Sequence, residues 1–312
     1  MTGDDATQDQ SALTATAFAG RVVAAHGRHY LVELADGERL DCFPRNKKSD
    51  IACGDEVDIE RIACDQGVIV RILPRRSLLY RSDRMKQKLI AANVTQVVVV
   101  VATDPPYSDE VLMRCLIAAD DQELESLIVL NKYDLEDRRS GPDARMALLE
   151  AARRRVLRLT AKRDASPLAE YLQGHTSLLV GQSGMGKSTL VNALLPDARC
   201  VTGEISRALN SGRHTTTHAE LYRLGDNAAL IDSPGLQEFG LAHVGSGVVE
   251  SAFADLAPWF GQCQFRDCRH EREPNCALRT AVAQGAVAAQ RLTLLLNILR
   301  SLPNRDRGSQ RS

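Results

Sequence analysis

Gly181-Gln182-Ser183-Gly184-Met185-Gly186-Lys187-Ser188 fits the pattern G-x-x-x-x-G-K-[ST], and the fold follows from its reading. The apolar run at 177–180 predicts a strand just before it, and residues 187–195 predict a helix just after. A glycine-rich turn between strand and helix lets successive backbone N–H groups point inward around a phosphate. The helix N-terminus adds partial positive charge. Lys187 is placed to reach the outer phosphates, where its ammonium is a candidate for catalytic charge stabilisation. Ser188 offers a hydroxyl to Mg²⁺, and Gln182, Ser183, Met185 and Thr189 complete the expected binding loop.

Around this motif the chain alternates. Residues 96–102 form a β-branched run, as expected of a strand buried on both faces of a parallel sheet. Further strands are predicted at 126–130, 156–160, 177–180, 219–224 and 228–231, and helices at 108–121, 143–155 and 187–195. Such alternation predicts an α/β doubly wound domain over 95–240.

Several strand ends carry chemistry. Asn131-Lys132-Tyr133-Asp134 follows the strand 126–130, where open α/β sheets bind ligands. An aspartate there can accept both N1–H and the exocyclic amino group of guanine, a pairing adenine cannot offer. Thr160-Ala161-Lys162 matches a loop that supports the base. Asp232-Ser233-Pro234-Gly235 fits D-x-x-G, with Asp232 expected to hold Mg²⁺ through water and the Gly235 N–H to sense the γ-phosphate. Between these lies Arg213-His214-Thr215-Thr216-Thr217-His218, in the position of switch I. One of its threonines, Thr215, Thr216 or Thr217, is expected to complete the Mg²⁺ shell.

The order is unusual. N-K-x-D and T-A-K precede the phosphate loop, whereas ordinary GTPases begin with that loop. The same sheet can be built if the usual termini are joined and the chain is cut after D-x-x-G. That predicts a circularly permuted P-loop GTPase domain.

Flanking this domain, residues 18–75 show about five short β-rich runs broken by turn residues such as Asp36-Gly37 and Gly54-Asp55. The pattern predicts an OB-type β-barrel, with an SH3-like barrel as the alternative. Residues 76–94 read as a basic linker, 1–17 as a disordered tail and 304–312 as a polar tail. Residues 241–303 read as a helical, zinc-binding domain. With 44% hydrophobic and 25% charged residues and a net charge of −1, the chain lacks the charge excess of a disordered protein. No apolar run approaches a membrane span, and residues 1–16 lack a signal-peptide pattern. A cytoplasmic protein with no membrane partner is expected.

Five of the eight cysteines are scattered; Cys263, Cys268 and Cys276 cluster with His270 in the spacing C-x4-C-x-H-x5-C. Three thiolates and an imidazole suit tetrahedral Zn²⁺, and four protein ligands close its shell, so the site should be structural, with one ion per chain. Buried thiols or a redox pair are the alternatives.

Taken with N-K-Y-D, G-Q-S-G-M-G-K-S-T, G-R-H-T-T-T, D-S-P-G-L-Q-E-F-G and the cysteine spacing, the chain resembles the ribosome small-subunit-dependent GTPase A family, the RsgA type of permuted GTPase. The resemblance spans roughly residues 18–300. It implies a barrel, a permuted GTPase domain and a C-terminal zinc domain. It also implies binding of the small (30S) ribosomal subunit late in maturation and GTP hydrolysis stimulated by that subunit; rRNA contact through the barrel and basic linker, GTP and GDP as ligands, and a monomer are expected beside it.

Leu236 follows D-x-x-G, where Ras-like proteins place a water-orienting glutamine, and Gln237 is out of register. His214 is therefore the candidate for orienting or deprotonating the attacking water. Two rival readings stay open: an ATP-using enzyme on the same scaffold, opposed by Asp134, and a GTP-dependent scaffold that barely hydrolyses.

Overall fold

The computed structural model describes residues 17–46, 50–83, 86–195, 219–233 and 239–303. Five strands open the chain: β1 (Phe18–His26), β2 (His29–Leu34), β3 (Arg39–Pro44), β4 (Glu56–Arg61) and β5 (Gln66–Ile72). They pair in the order β1-β2-β3-β5-β4, and β4 returns to β1, which closes a barrel. The β3–β5 pairing is parallel and the others antiparallel. Alternation along each strand fills the interior with Val22, Val32, Leu40, Val57, Ile59 and Ile69. A closed five-stranded barrel with this order is the OB-type arrangement.

The stretch 76–94, expected as an irregular basic linker, instead contains a hairpin. Strands β6 (Leu78–Asp83) and β7 (Lys86–Ala92) pair antiparallel from Leu78↔Ala92 to Asp83↔Lys86. Leu79 and Ile90, at its base, are buried in the main core, and this anchors strands whose basic sequence reads as connector.

The GTPase sheet follows: β8 (Gln96–Ala102), β9 (Glu125–Asn131), β10 (Arg155–Arg158), β11 (Thr176–Val180), β12 (Glu220–Arg223) and β13 (Ala229–Asp232). Its order is β10-β9-β8-β11-β13-β12, all parallel except β12. Every residue of β8 is buried, as its β-branched run requires. Each fully buried valine there contributes roughly 1.5–3 kcal/mol over an exposed one.

Helix α1 (Asp109–Asp121) covers β8 and β9. Ser108 Oγ caps it by accepting from Val111 N, with Asp109 and Glu110 in its first turn. The other helices of the domain are α2 (Ser140–Ala151), α3 (Ser166–Leu172) and α4 (Lys187–Leu194). Beyond the sheet, α5 (Ser246–Ser251), α6 (Ala277–Ala283) and α7 (Ala289–Ser301) form a helical region, and α5 and α7 pack on α1.

Barrel and GTPase sheet are joined edge to edge. β1 pairs with β12 through Ala24↔Glu220, Arg21 donates to Thr176 Oγ1 at 3.0 Å, and Glu33 bonds both Arg39 and Arg223. Asp55, fully buried in the barrel, accepts from Arg75 Nε at 2.7 Å and from Ala52 N at 2.8 Å.

Candidate functional site

Four strands end on one edge of the sheet. β9 delivers Asn131, β10 leads to Thr160, β11 to Gly181, and β13 ends on Asp232. Because these strands are parallel, their carboxyl ends gather residues from 131 to 232 into one crevice.

Asn131 connects three of these loops. Its side-chain N–H₂ donates to the Met185 carbonyl at 2.9 Å, and its Oδ1 accepts from Lys132 N at 2.8 Å and Ala161 N at 3.0 Å. The residue is 2% exposed, so each bond is made away from competing water. Gly186, at φ +96°, passes directly beneath it; a Cβ there would fall on Asn131 Nδ2.

Lys132, itself at positive φ, donates its ammonium to the Asp104 carbonyl at 2.8 Å. Asp134 is half-buried at the mouth. Its backbone N–H donates to Thr160 Oγ1 at 3.1 Å, and the Thr160 hydroxyl donates to Asp134 Oδ1 at 3.3 Å. Arg163 lies 3.7 Å from Asp134 Oδ2. Tyr133 donates its O–H to Asp143 at 3.1 Å and stacks under the Arg139 guanidinium, which fixes the turn from behind. Lys162 is exposed.

In the phosphate loop Gly181 and Met185 are buried, while Ser183, Gly184 and Ser188 face solvent. Gln182 reaches sideways, its Oε1 accepting from Ser108 N at 2.7 Å at the start of α1. Lys187 donates to the Gly181 and Gln182 carbonyls at 2.6 and 3.0 Å. Burial lowers its pKa, and the nearby Asp232 carboxylate partly restores it. Burial raises the Asp232 pKa, and Lys187 partly counters that. Asp232 Oδ1 is buried with no hydrogen-bond partner among the described residues. A buried carboxylate oxygen without a partner, beside a phosphate loop, suits a hydrated divalent cation. The residues present therefore fit Mg²⁺.

The second cluster lies in the C-terminal region. Cys263 Sγ stands 3.5 Å from His270 Nδ1 and 3.9 Å from Cys276 Sγ. His270 Nδ1 is 3.6 Å from Cys268 Sγ and 3.3 Å from Cys276 Sγ. A tetrahedron with arms of about 2.3 Å has edges of about 3.8 Å, so these spacings suit four ligands around one Zn²⁺. They are too long for a disulfide, whose sulfurs sit about 2.05 Å apart. His270 and Asn275 bend the loop at positive φ. Glu273 fastens it, its carboxylate accepting from the N–H groups of Arg269, Glu271 and Arg272 at 2.9, 2.9 and 3.0 Å. These bonds, led by the Arg269 N–H, hold its carboxyl down at about 2.

Of the residues singled out from sequence, Asn131, Lys132, Asp134, Thr160, Ala161, the loop from Gly181 to Thr189 and Asp232 converge on the crevice, and the three cysteines and His270 converge on the second site. His214, Thr215, Thr216, Thr217, Gly235, Leu236 and Gln237 lie outside the described residues, as do the tails 1–16 and 304–312. The sequence carries no signal for the role of Gln182 toward α1 or for that of Glu273, because only the folded chain brings such partners together.

The profile of the RsgA GTPase family matches residues 72–242. The chain belongs to that family. The small ribosomal subunit biogenesis GTPase RsgA of Nitrosospira multiformis is 49% identical over 290 residues, covering 93% of each chain. That of Burkholderia pseudomallei strain K96243 is 53% identical over 285 residues, covering 90% of this chain and 91% of that protein. The crystal structure of YjeQ from Thermotoga maritima superposes with a TM-score of 0.65 at 29% identity, over 93% of this chain and all of that one. YloQ, a circularly permuted GTPase, shares the fold with a TM-score of 0.64 at 23% identity, over 93% of this chain and 96% of that one. As an RsgA GTPase, the chain carries the permuted motif order on a single sheet edge, and its activity is GTP hydrolysis.

Proposed function

We propose that this GTPase acts in maturation of the small (30S) ribosomal subunit in the cytoplasm, as a monomer that binds the subunit through its rRNA and is stimulated by it. The observation that carries the reading is the junction of Asn131, Met185 and Ala161, which ties base-reading and phosphate-reading loops into one guanine-nucleotide site on a chain 49–53% identical to small-subunit biogenesis GTPases. No helix among the described residues is long and apolar enough to cross a membrane.

In this reading Asp134 accepts the two guanine N–H donors, and Thr160 orients its carboxylate. Lys187 neutralises charge on the phosphates. Ser188 and Asp232, with Thr215 or Thr216, would hold Mg²⁺, which would supply positive charge to offset the charge developing on the phosphates. His214 orients the attacking water. Cys263, Cys268, His270 and Cys276 hold a structural Zn²⁺. On the barrel, Tyr30 is buried and only Phe18 and Phe43 retain exposed ring surface, so phosphate and shape contacts carry more of the rRNA binding than base stacking.

Co-sedimentation with purified small and large subunits tests the partner. Binding to the small subunit with a non-hydrolysable GTP analogue, and weaker binding with GDP, is expected. Equal binding to both subunits, or none, refutes the assignment.

A further inference from the structure

Strand β12 carries polar side chains that the nucleotide reading above leaves unused. Its register with β13 sets Glu220 directly opposite Asp232. Directly opposed residues of an antiparallel pair project from the same sheet face. The Glu220 carboxylate therefore stands beside that of Asp232, close enough to oppose its ionisation. Tyr222, two residues along and on the same face, donates its O–H to Glu220 Oε2 at 2.8 Å. On the other flank of Glu220, β1 places Ala24, a buried methyl with nothing polar to offer.

Two neighbouring carboxylates on a half-buried face repel unless a cation joins them. The nearby cations make their hydrogen bonds elsewhere: Lys187, whose charge only partly offsets the burial of Asp232, donates to the Gly181 and Gln182 carbonyls, and Arg21 donates to Thr176. Asp232 Oδ1 has no partner among the described residues. Burial and the Glu220 charge push the Tyr222 phenol far up, so it stays a donor and holds the Glu220 carboxylate in place. We infer that Glu220 is a positioning residue for the nucleotide-associated divalent cation: its charge, held in place by Tyr222, adds to that of Asp232 and raises the affinity of the site for Mg²⁺. The inference rests on the guanine-nucleotide reading of the crevice. It also places a determinant of that affinity on the strand that the barrel grips through Ala24.

The test is release of a fluorescent GDP analogue from the full chain as free Mg²⁺ is titrated, in wild type, Glu220→Gln and Tyr222→Phe. In Mg²⁺-depleted buffer the three proteins should bind the analogue equally. The Mg²⁺ concentration giving half-maximal retention should rise about tenfold in Glu220→Gln, the effect of one nearby charge, and by a smaller factor in Tyr222→Phe. A purely structural role would weaken binding equally with and without Mg²⁺; that result, or an unshifted midpoint, overturns the inference. Tyr222→Phe keeps the charge and the fold, so it decides the matter alone if Glu220→Gln does not fold. A wild-type chain that binds no guanine nucleotide would instead overturn the reading on which the inference rests.

Discussion

The side-chain amide of Asn131 donates to the carbonyl of Met185, 54 residues away in sequence, at 2.9 Å. The loop proposed to read the base and the loop proposed to hold the phosphates are thus positioned by one residue, whose carboxamide oxygen also holds Ala161. Asn131→Ala leaves these groups without partners in a buried place, at about 1–3 kcal/mol each. GDP binding measured by calorimetry should weaken at least tenfold while the far-ultraviolet circular dichroism stays native. Unchanged affinity would show that the loops hold their positions without the amide.

Gly186 tests the same junction from below. An alanine there meets two penalties, a left-handed backbone costing about 1–2 kcal/mol and a Cβ that falls on Asn131. Gly186→Ala should abolish nucleotide binding and lower the thermal midpoint. A variant that binds GDP normally would mean that the loop relaxes around a methyl group.

Base choice is expected to rest on Asp134. In Asp134→Asn one acceptor becomes a donor, which mismatches the guanine amino group but suits a base with a carbonyl at C2. Turnover assays should show the preference moving from GTP toward XTP by at least about tenfold, the effect of one well-placed hydrogen bond. Retention of GTP preference would place base recognition elsewhere.

Glu273 fastens the loop that carries Cys268, His270 and Cys276. Its folded carboxyl sits at about 2, below the ordinary 4.5, so its contacts add stability that is complete above about 4.5 and lost as pH falls toward 2. At neutral pH the full effect is present. Glu273→Ala should release zinc to a chromogenic chelator about ten times faster than wild type, without altering a ligand. Equal release rates would show that the four ligands alone shape the loop.

Much of this architecture is legible in the sequence, for physical reasons that differ by element. The run Val97–Val101 can only be a strand buried on both faces, and β8 occupies the expected residues. The barrel strands alternate cleanly, because one face of each meets the core. The hairpin β6–β7 escapes such reading because Arg81, Lys86 and Lys88 mask the short apolar anchors Leu79 and Ile90. Helix α3 escapes because seven residues give too few turns to establish a period, although Pro167 in its first turn and Asp164, which accepts from Ser166 N, mark its start. At the site, motifs name the residues that meet the ligand but not those that brace them. The bond from Ser108 N to Gln182 spans 74 residues, and the pairing of Glu220 with Asp232 depends on strand register.

The central claim is a GTPase governed by the small ribosomal subunit, and its most direct test is GTP turnover by the purified chain with and without that subunit, with ATP as the control. Slow basal hydrolysis, on the order of 10⁻⁴ s⁻¹ if no group orients the water in the free protein, should rise steeply with small subunits, and ATP should stay untouched. The rise should vanish in His214→Ala. Turnover that ignores the small subunit, or that accepts ATP equally, would contradict the account.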